Sequence, residues 1–224
     1  MPHQLSFDLP VQVALGEGDF FVAPANAQAY AMVTQGHWPE GKLALIGPPG
    51  SGKSHLGRVW ADRQSARIRA AAALDPEAPL PPAGARLVIE DVEHLAPAAE
   101  EYVFHLHNHL RATGGRLLLT ADRAPSRWPI RLPDLASRMQ ATSIAMLDDP
   151  DDRLLAALLM KLFADRQLAA PPDLIDWLAL RIERSHRAAA QAVAALDAAA
   201  LSLGRNLSVR LARDVLDKTR PPAP

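Results

Sequence analysis

Through the first two thirds of the chain, compact apolar runs alternate with stretches whose apolar residues recur every third or fourth position. Lys42 to Ile46, bounded by glycines, reads as a parallel strand covered on both faces. Leu56, Val59 and Trp60 then fall at helical spacing within Lys53–Gln64, and Ala66–Ala70 predicts a second short strand. Arg86–Ile89 is the next strand and ends in Glu90-Asp91. A helix over Glu100–Ala112 is stopped by Gly114-Gly115, and Arg116–Thr120 forms another strand. Strands alternating with helices predict a mostly parallel sheet. Upstream, Asn26–Gln35 predicts a short helix with Asn26 as its N-cap, closed by Gly36 and Trp38-Pro39. The stretch Asp75–Gly84 holds four prolines and reads as a stiff connection.

From Asp148 only helical periodicity remains. Asp148-Asp149-Pro150 supplies a helix start, and helices are expected near Asp151–Arg166, Asp173–Glu183, His186–Leu203 and Ser208–Lys218. Residues 1–19 show no sustained period and read as an extended arm. The expected organisation is therefore an arm (1–19), an α/β nucleotide-binding core (20–147) and a small all-α lid domain (148–224).

Composition narrows the function classes. The 224 residues, 49% hydrophobic, suffice for such a core and a small accessory domain. No apolar run approaches the roughly 20 residues of a membrane span, and Met1-Pro2-His3-Gln4 lacks a secretory signal's design. A cytoplasmic protein without membrane contact is expected. The absence of cysteine excludes disulfides and thiolate catalysis. With 24 Lys+Arg against 25 Asp+Glu, a surface that grips DNA phosphates everywhere is not expected.

The chemistry concentrates in Gly47-Pro48-Pro49-Gly50-Ser51-Gly52-Lys53-Ser54, which lies between a predicted strand and a predicted helix. Glycines there let successive amides close around phosphate oxygens, and the helix N-terminus adds a favourable dipole. Lys53 neutralises charge, Ser54 ligates Mg²⁺, and ADP or ATP is the expected ligand. The metal also needs a carboxylate from the far side and an attacking water needs orienting. Glu90 and Asp91 answer both needs from a strand's carboxyl end, where open α/β sheets bind ligands. The longer Glu90 in the first acidic position predicts slow turnover of the chain's own nucleotide. Asp122, after Thr120-Ala121, either reaches the phosphates from a neighbouring strand or makes a turn.

Together with Gln4-Leu5-Ser6-Phe7-Asp8-Leu9-Pro10, Gly52-Lys53-Ser54-His55-Leu56 and Leu132-Pro133-Asp134-Leu135-Ala136-Ser137-Arg138, these motifs resemble the AAA+ ATPases. Within them the likeness is to the DnaA-like regulators of the Hda (HdaA) type, which inactivate the bacterial replication initiator DnaA. The resemblance implies a P-loop AAA+ sheet flanked by helices and followed by a helical lid. It makes Asp122 the sensor-1 residue, Arg187 the sensor-2 residue and Arg138 an arginine finger presented to a neighbouring ATPase. His55 falls within the nucleotide-binding loop. Gln4, Leu5, Phe7 and Leu9 resemble a motif binding the DNA polymerase III sliding clamp (beta subunit), against the plainer reading of an arm packed on its own domain.

The implied partners are DnaA and the clamp, with DNA approached only through the clamp. The implied role is stimulation of hydrolysis of DnaA-bound ATP; the alternative is an adaptor or loader that uses nucleotide as a conformational switch. Initiators carry a helix-turn-helix domain beyond the lid and an extra helix before the acidic strand. Here the sequence stops at Pro224 and Ala71–Ala85 is short and proline-rich, so neither origin reading nor single-strand binding is expected. His105 and His109 share a helical face at i, i+4 but lack a third acidic ligand there, so zinc is not expected.

Overall fold

The computed structural model describes residues 20–219. Its centre is a sheet of five parallel strands, β1 (Lys42–Ile46), β2 (Arg67–Ala70), β3 (Arg86–Glu90), β4 (Arg116–Ala121) and β5 (Ser143–Met146), in the order β2-β3-β4-β1-β5. Strand alternation sends Leu43, Leu45, Val88 and Leu118 to one face and Ala44, Ile46, Ile89, Leu117 and Leu119 to the other. The first face is covered by α1 (Pro24–Gln35) and α2 (Lys53–Gln64), and the second by α3 (Glu100–Thr113) and α4 (Pro133–Gln140). Burial on both faces explains why β1 and β4 read as unbroken apolar runs. Each fully buried leucine in them contributes about 1.5–3 kcal/mol.

The structure departs from the sequence reading at several points. Asn26 is not an N-cap: α1 starts two residues earlier at Pro24, whose fixed φ suits a first turn. Asn26 occupies the third position, takes the Ala23 N–H at 2.8 Å on Oδ1, and donates Nδ2–H to the Phe21 carbonyl at 2.9 Å. Arg138, which the sequence pattern would set just after a short helical turn, stands in the last turn of the eight-residue α4. The fifth strand, β5, was not expected; it is short and at the sheet edge, with Ile144 and Met146 exposed and Ala145 buried against α1 and α2.

A separate apolar cluster joins α5 (Asp152–Asp165), α6 (Pro172–Ala179), α7 (His186–Leu203) and α8 (Val209–Thr219). α5 is capped by Asp151, which takes the Leu154 N–H, and α7 by Ser185, which takes the Ala188 N–H. α6 closes at Ala179, short of Glu183, because the chain there turns back onto the Leu178 carbonyl through the Arg181 and Ile182 amides. Among the described residues, no helix is long and apolar enough to cross a membrane.

Candidate nucleotide-binding site

The loop Gly47–Gly52 leaves the carboxyl end of β1 and enters α2 at Lys53. Gly50 and Gly52 take φ of +82° and +101°, which side chains other than glycine rarely adopt. Lys53 and Ser54 open α2, so their amides stand where a helix makes no bonds of its own and favours an anion. The Ser51 N–H closes a turn onto the Pro48 carbonyl at 3.1 Å, while its buried hydroxyl has no hydrogen-bond partner.

Lys53 is folded back into this loop. Its ammonium donates to the carbonyls of Gly47 (2.7 Å) and Pro48 (2.9 Å) and to Asp122 Oδ1 (2.8 Å). Two of the predicted residues, Lys53 and Asp122, are thus in direct contact. Asp122 reaches the lysine because β4 lies between β1 and β3 and ends beside the loop, where the Gly47 N–H meets the Ala121 carbonyl at 3.3 Å. With its three donors taken, Lys53 can bond an incoming phosphate only by giving up one of these three partners.

Glu90 and Asp91 end β3, two strand spacings or about 10 Å from β1. Asp91 sits at φ +57°, a left-handed conformation that aspartate tolerates, and opens a single 3-10 turn. Two cross-strand bonds fix this corner: the Asp91 N–H donates to Thr120 Oγ1 (3.2 Å), and the Asp122 N–H donates to Glu93 Oε1 (2.7 Å). The other Glu93 oxygen is buried without a partner. Sequence reasoning missed Thr120 and Glu93, since one reads as strand core and the other as a solvated loop acid. The only signal was an acid three residues beyond Glu90 on a tight turn.

The lid touches the loop through the start of α7. The His186 N–H donates to the Gly50 carbonyl at 2.8 Å, and Arg187 begins beside Gly50, with its side chain exposed. The His186 imidazole packs over Gly52. Burial, with the nearby His55 adding a smaller effect, depresses its pKa to about 4. His55 and Tyr30 also flank Phe20, with ring centroids 5.6 and 5.7 Å from it.

Arg138 is not part of this constellation. Its carbonyl takes the Lys42 ammonium (2.8 Å) at the start of β1, the strand end opposite the loop, and its guanidinium lies 5.3 Å from the Phe104 ring centroid on α3. Gln4, Leu5, Phe7 and Leu9 lie outside the described residues. The three histidines of α3 diverge: His105 lies 3.8 Å from Glu101, His109 meets the Pro81 carbonyl, and His107 is buried at Lys42.

Comparison with known structures places this architecture. Domain III of the Thermotoga maritima replication initiation protein DnaA superposes with a TM-score of 0.75 at 21% identity, over 89% of this chain and 94% of that domain. The fold is AAA+. A replication initiator DnaA bound to AMPPCP and single-stranded DNA superposes with a TM-score of 0.63 at 17% identity, over 80% of this chain and 63% of that one. In sequence, the chromosomal replication initiator protein DnaA of Bacteroides thetaiotaomicron is 28% identical over 132 residues, which are 58% of this chain. Over that stretch the chain is homologous to DnaA-type initiators; it spans 28% of that relative's length. No family model matches the chain.

The loop fits a nucleotide's phosphates on its own features: positive-φ glycines, a helix N-terminus, a poised lysine and an orphaned buried Ser51 hydroxyl. Among the described residues no group of three or more His, Asp or Glu forms a cation cage. Mg²⁺ typically shares one or two carboxylates with substrate phosphates. Ser54 at the start of α2 and Glu90 and Asp91 at the end of β3 are the oxygen donors that such a shared site would draw on.

Proposed function

We propose that the chain is a DnaA-like AAA+ regulator of chromosomal replication initiation, of the Hda type, which stimulates hydrolysis of DnaA-bound ATP. The observation that carries this reading is the placement of Arg138. α4 lies on the sheet face opposite α2, and the Arg138 carbonyl is tied to the start of β1, about 16 Å of strand from Gly47. There the guanidinium lies over the Phe104 ring of α3, on the sheet face away from the helix that follows the chain's own phosphate loop, so it is free to serve another molecule's site only by leaving that ring. A guanidinium brought beside a transferring phosphoryl group offsets its developing charge and raises turnover by about 10³ to 10⁵. The exposed Ile144 and Met146 lie on the strand that follows α4 and extend the same face with an apolar surface.

In the chain's own site, the loop Gly47–Ser54 with Lys53 holds the polyphosphate of ADP or ATP, and Arg187 closes on it from the lid. Ser54, Glu90 and Asp91 would hold Mg²⁺, which would supply charge neutralisation at the phosphates. Asp122 orients Lys53 and keeps its ammonium at the loop. Gln4, Leu5, Phe7 and Leu9 bind the sliding clamp as an extended peptide, which brings the protein to DNA without direct DNA contact, in the cytoplasm. Reconstitution tests the proposal: ATP-loaded DnaA-type initiator is mixed with DNA-loaded clamp, with and without the chain. Accelerated phosphate release only when the chain and the loaded clamp are both present is expected; an unchanged rate refutes it.

The alternative, an adaptor that uses nucleotide as a switch, is favoured by the hydrogen bond from His186 to Gly50, which couples the lid to the phosphate loop. On that reading nucleotide changes the lid's position while initiator turnover stays at its basal rate.

A further inference from the structure

Away from the nucleotide loop, a buried lysine and a buried histidine join a charged network that reaches the surface. Lys42 and His107 are each 2% exposed. The Lys42 ammonium has three donors and meets three acceptors: the Arg138 carbonyl at 2.8 Å, His107 Nε2 at 3.1 Å and Glu40 Oε2 at 3.2 Å. His107 Nδ1–H points to Asn108 Oδ1 at 3.4 Å, which leaves Nε2 as the acceptor and the ring neutral. Burial, reinforced by the neighbouring Lys42 charge, lowers the His107 pKa and favours that neutral form.

Glu40 is held at φ +54°, an unusual conformation for a side-chain-bearing residue, and its carboxylate also faces Arg111 at 3.6 Å. The lysine bond keeps the Glu40 pKa below the ordinary carboxylate value. At the far end of α4, the buried Glu100 carboxylate takes the N–H groups of Arg131 (3.0 Å) and Leu132 (2.6 Å). An eight-residue helix is thus gripped at both ends by buried charges, cationic at its C-terminus and anionic just before its N-terminus. Both signs match the helix dipole.

We infer that Lys42, supported by His107 and Glu40, is a positioning residue that sets the last turn of α4 and so aims Arg138 at a partner's phosphoryl group. This rests on the trans role of Arg138 proposed above. A short helix closed by a surface cap would fray at its last turn, where Arg138 stands; the buried ammonium on its carbonyl prevents this. Aim matters because a misplacement of about 1 Å in a transition-state contact costs about 100-fold.

The test measures maximal stimulation of hydrolysis by ATP-loaded DnaA-type initiator, the concentration giving half of it, and ADP affinity. The variants are Lys42→Met, His107→Leu, His107→Gln and Arg138→Ala. Lys42→Met and His107→Leu are expected to lower maximal stimulation about 10- to 100-fold. Half-saturating concentration and ADP affinity stay within about threefold. His107→Gln, which restores an acceptor near the Nε2 position, keeps stimulation within about threefold of the parent. Should Lys42→Met fail to fold, the His107→Leu and His107→Gln pair still decides the matter. Equal stimulation by that pair overturns the inference, as does a loss confined to half-saturating concentration or ADP affinity. If Arg138→Ala stimulates like the parent, the trans role itself falls; if it is inactive while Lys42→Met is fully active, only the positioning role falls.

Discussion

His186 gives the structure a pH dependence whose size can be worked out. Its imidazole packs over Gly52 beside His55, and its pKa is depressed from 6.5 to about 4, chiefly by burial. At about 1.4 kcal/mol per tenfold change in proton affinity, the docked lid disfavours the charged ring by about 3 kcal/mol. The folded value lies below the unfolded one, so the folded state prefers the neutral ring. Stability from this group is complete above about pH 6.5, falls as the pH drops toward 4, and stays lost below that. At pH 5 the loss is about 2 kcal/mol. His107, also depressed by burial and by Lys42, adds a loss of the same sign. Urea denaturation of the parent and of His186→Gln at pH 7.5 and pH 5 separates them, because the substituted amide does not titrate. The parent should lose about 2 kcal/mol more than His186→Gln between the two pH values. Parallel losses would show that His186 is not held neutral against the loop, and the lid contact would have to be abandoned.

Three further outcomes follow from the site. Lys53→Met should reduce ADP affinity at least about tenfold, measured by isothermal titration, because a charge-assisted phosphate contact is removed. Glu100→Ala should cost about 2–4 kcal/mol in denaturant unfolding, since it leaves the Arg131 and Leu132 amides without their carboxylate. Gln4→Ala together with Leu5→Ala should abolish capture by immobilised sliding clamp without altering ADP affinity; retained capture refutes the clamp motif.

The sheet was legible where burial on both faces wrote itself as unbroken apolar runs, as in Leu43–Ile46 and Leu117–Leu119. It was illegible in β5, whose exposed Ile144 and Met146 flank one buried alanine at a sheet edge. The phosphate loop announced itself because its chemistry is local: glycines, lysine and serine must be consecutive. Asp122 could be suspected from its strand end, but its contact with Lys53 depends on β4 lying between β1 and β3, which no local pattern encodes. Thr120, Glu93, Lys42, His107 and Glu100 were missed for a common reason. Each is a polar residue bonded to backbone or side chains from 29 to 96 positions away. From sequence alone they look like strand filler or solvated helix faces. Asn26 shows the opposite error, since a good capping residue served from the third helical position because proline had already set the start.

The account stands or falls on Arg138 acting on another molecule. Phosphate release from ATP-loaded DnaA-type initiator, with DNA-loaded clamp and either the parent chain or Arg138→Ala, is the measurement. The account predicts that Arg138→Ala binds ADP and clamp as the parent does while stimulation falls by about 10³-fold or to the basal rate. Stimulation by Arg138→Ala equal to the parent's would contradict it.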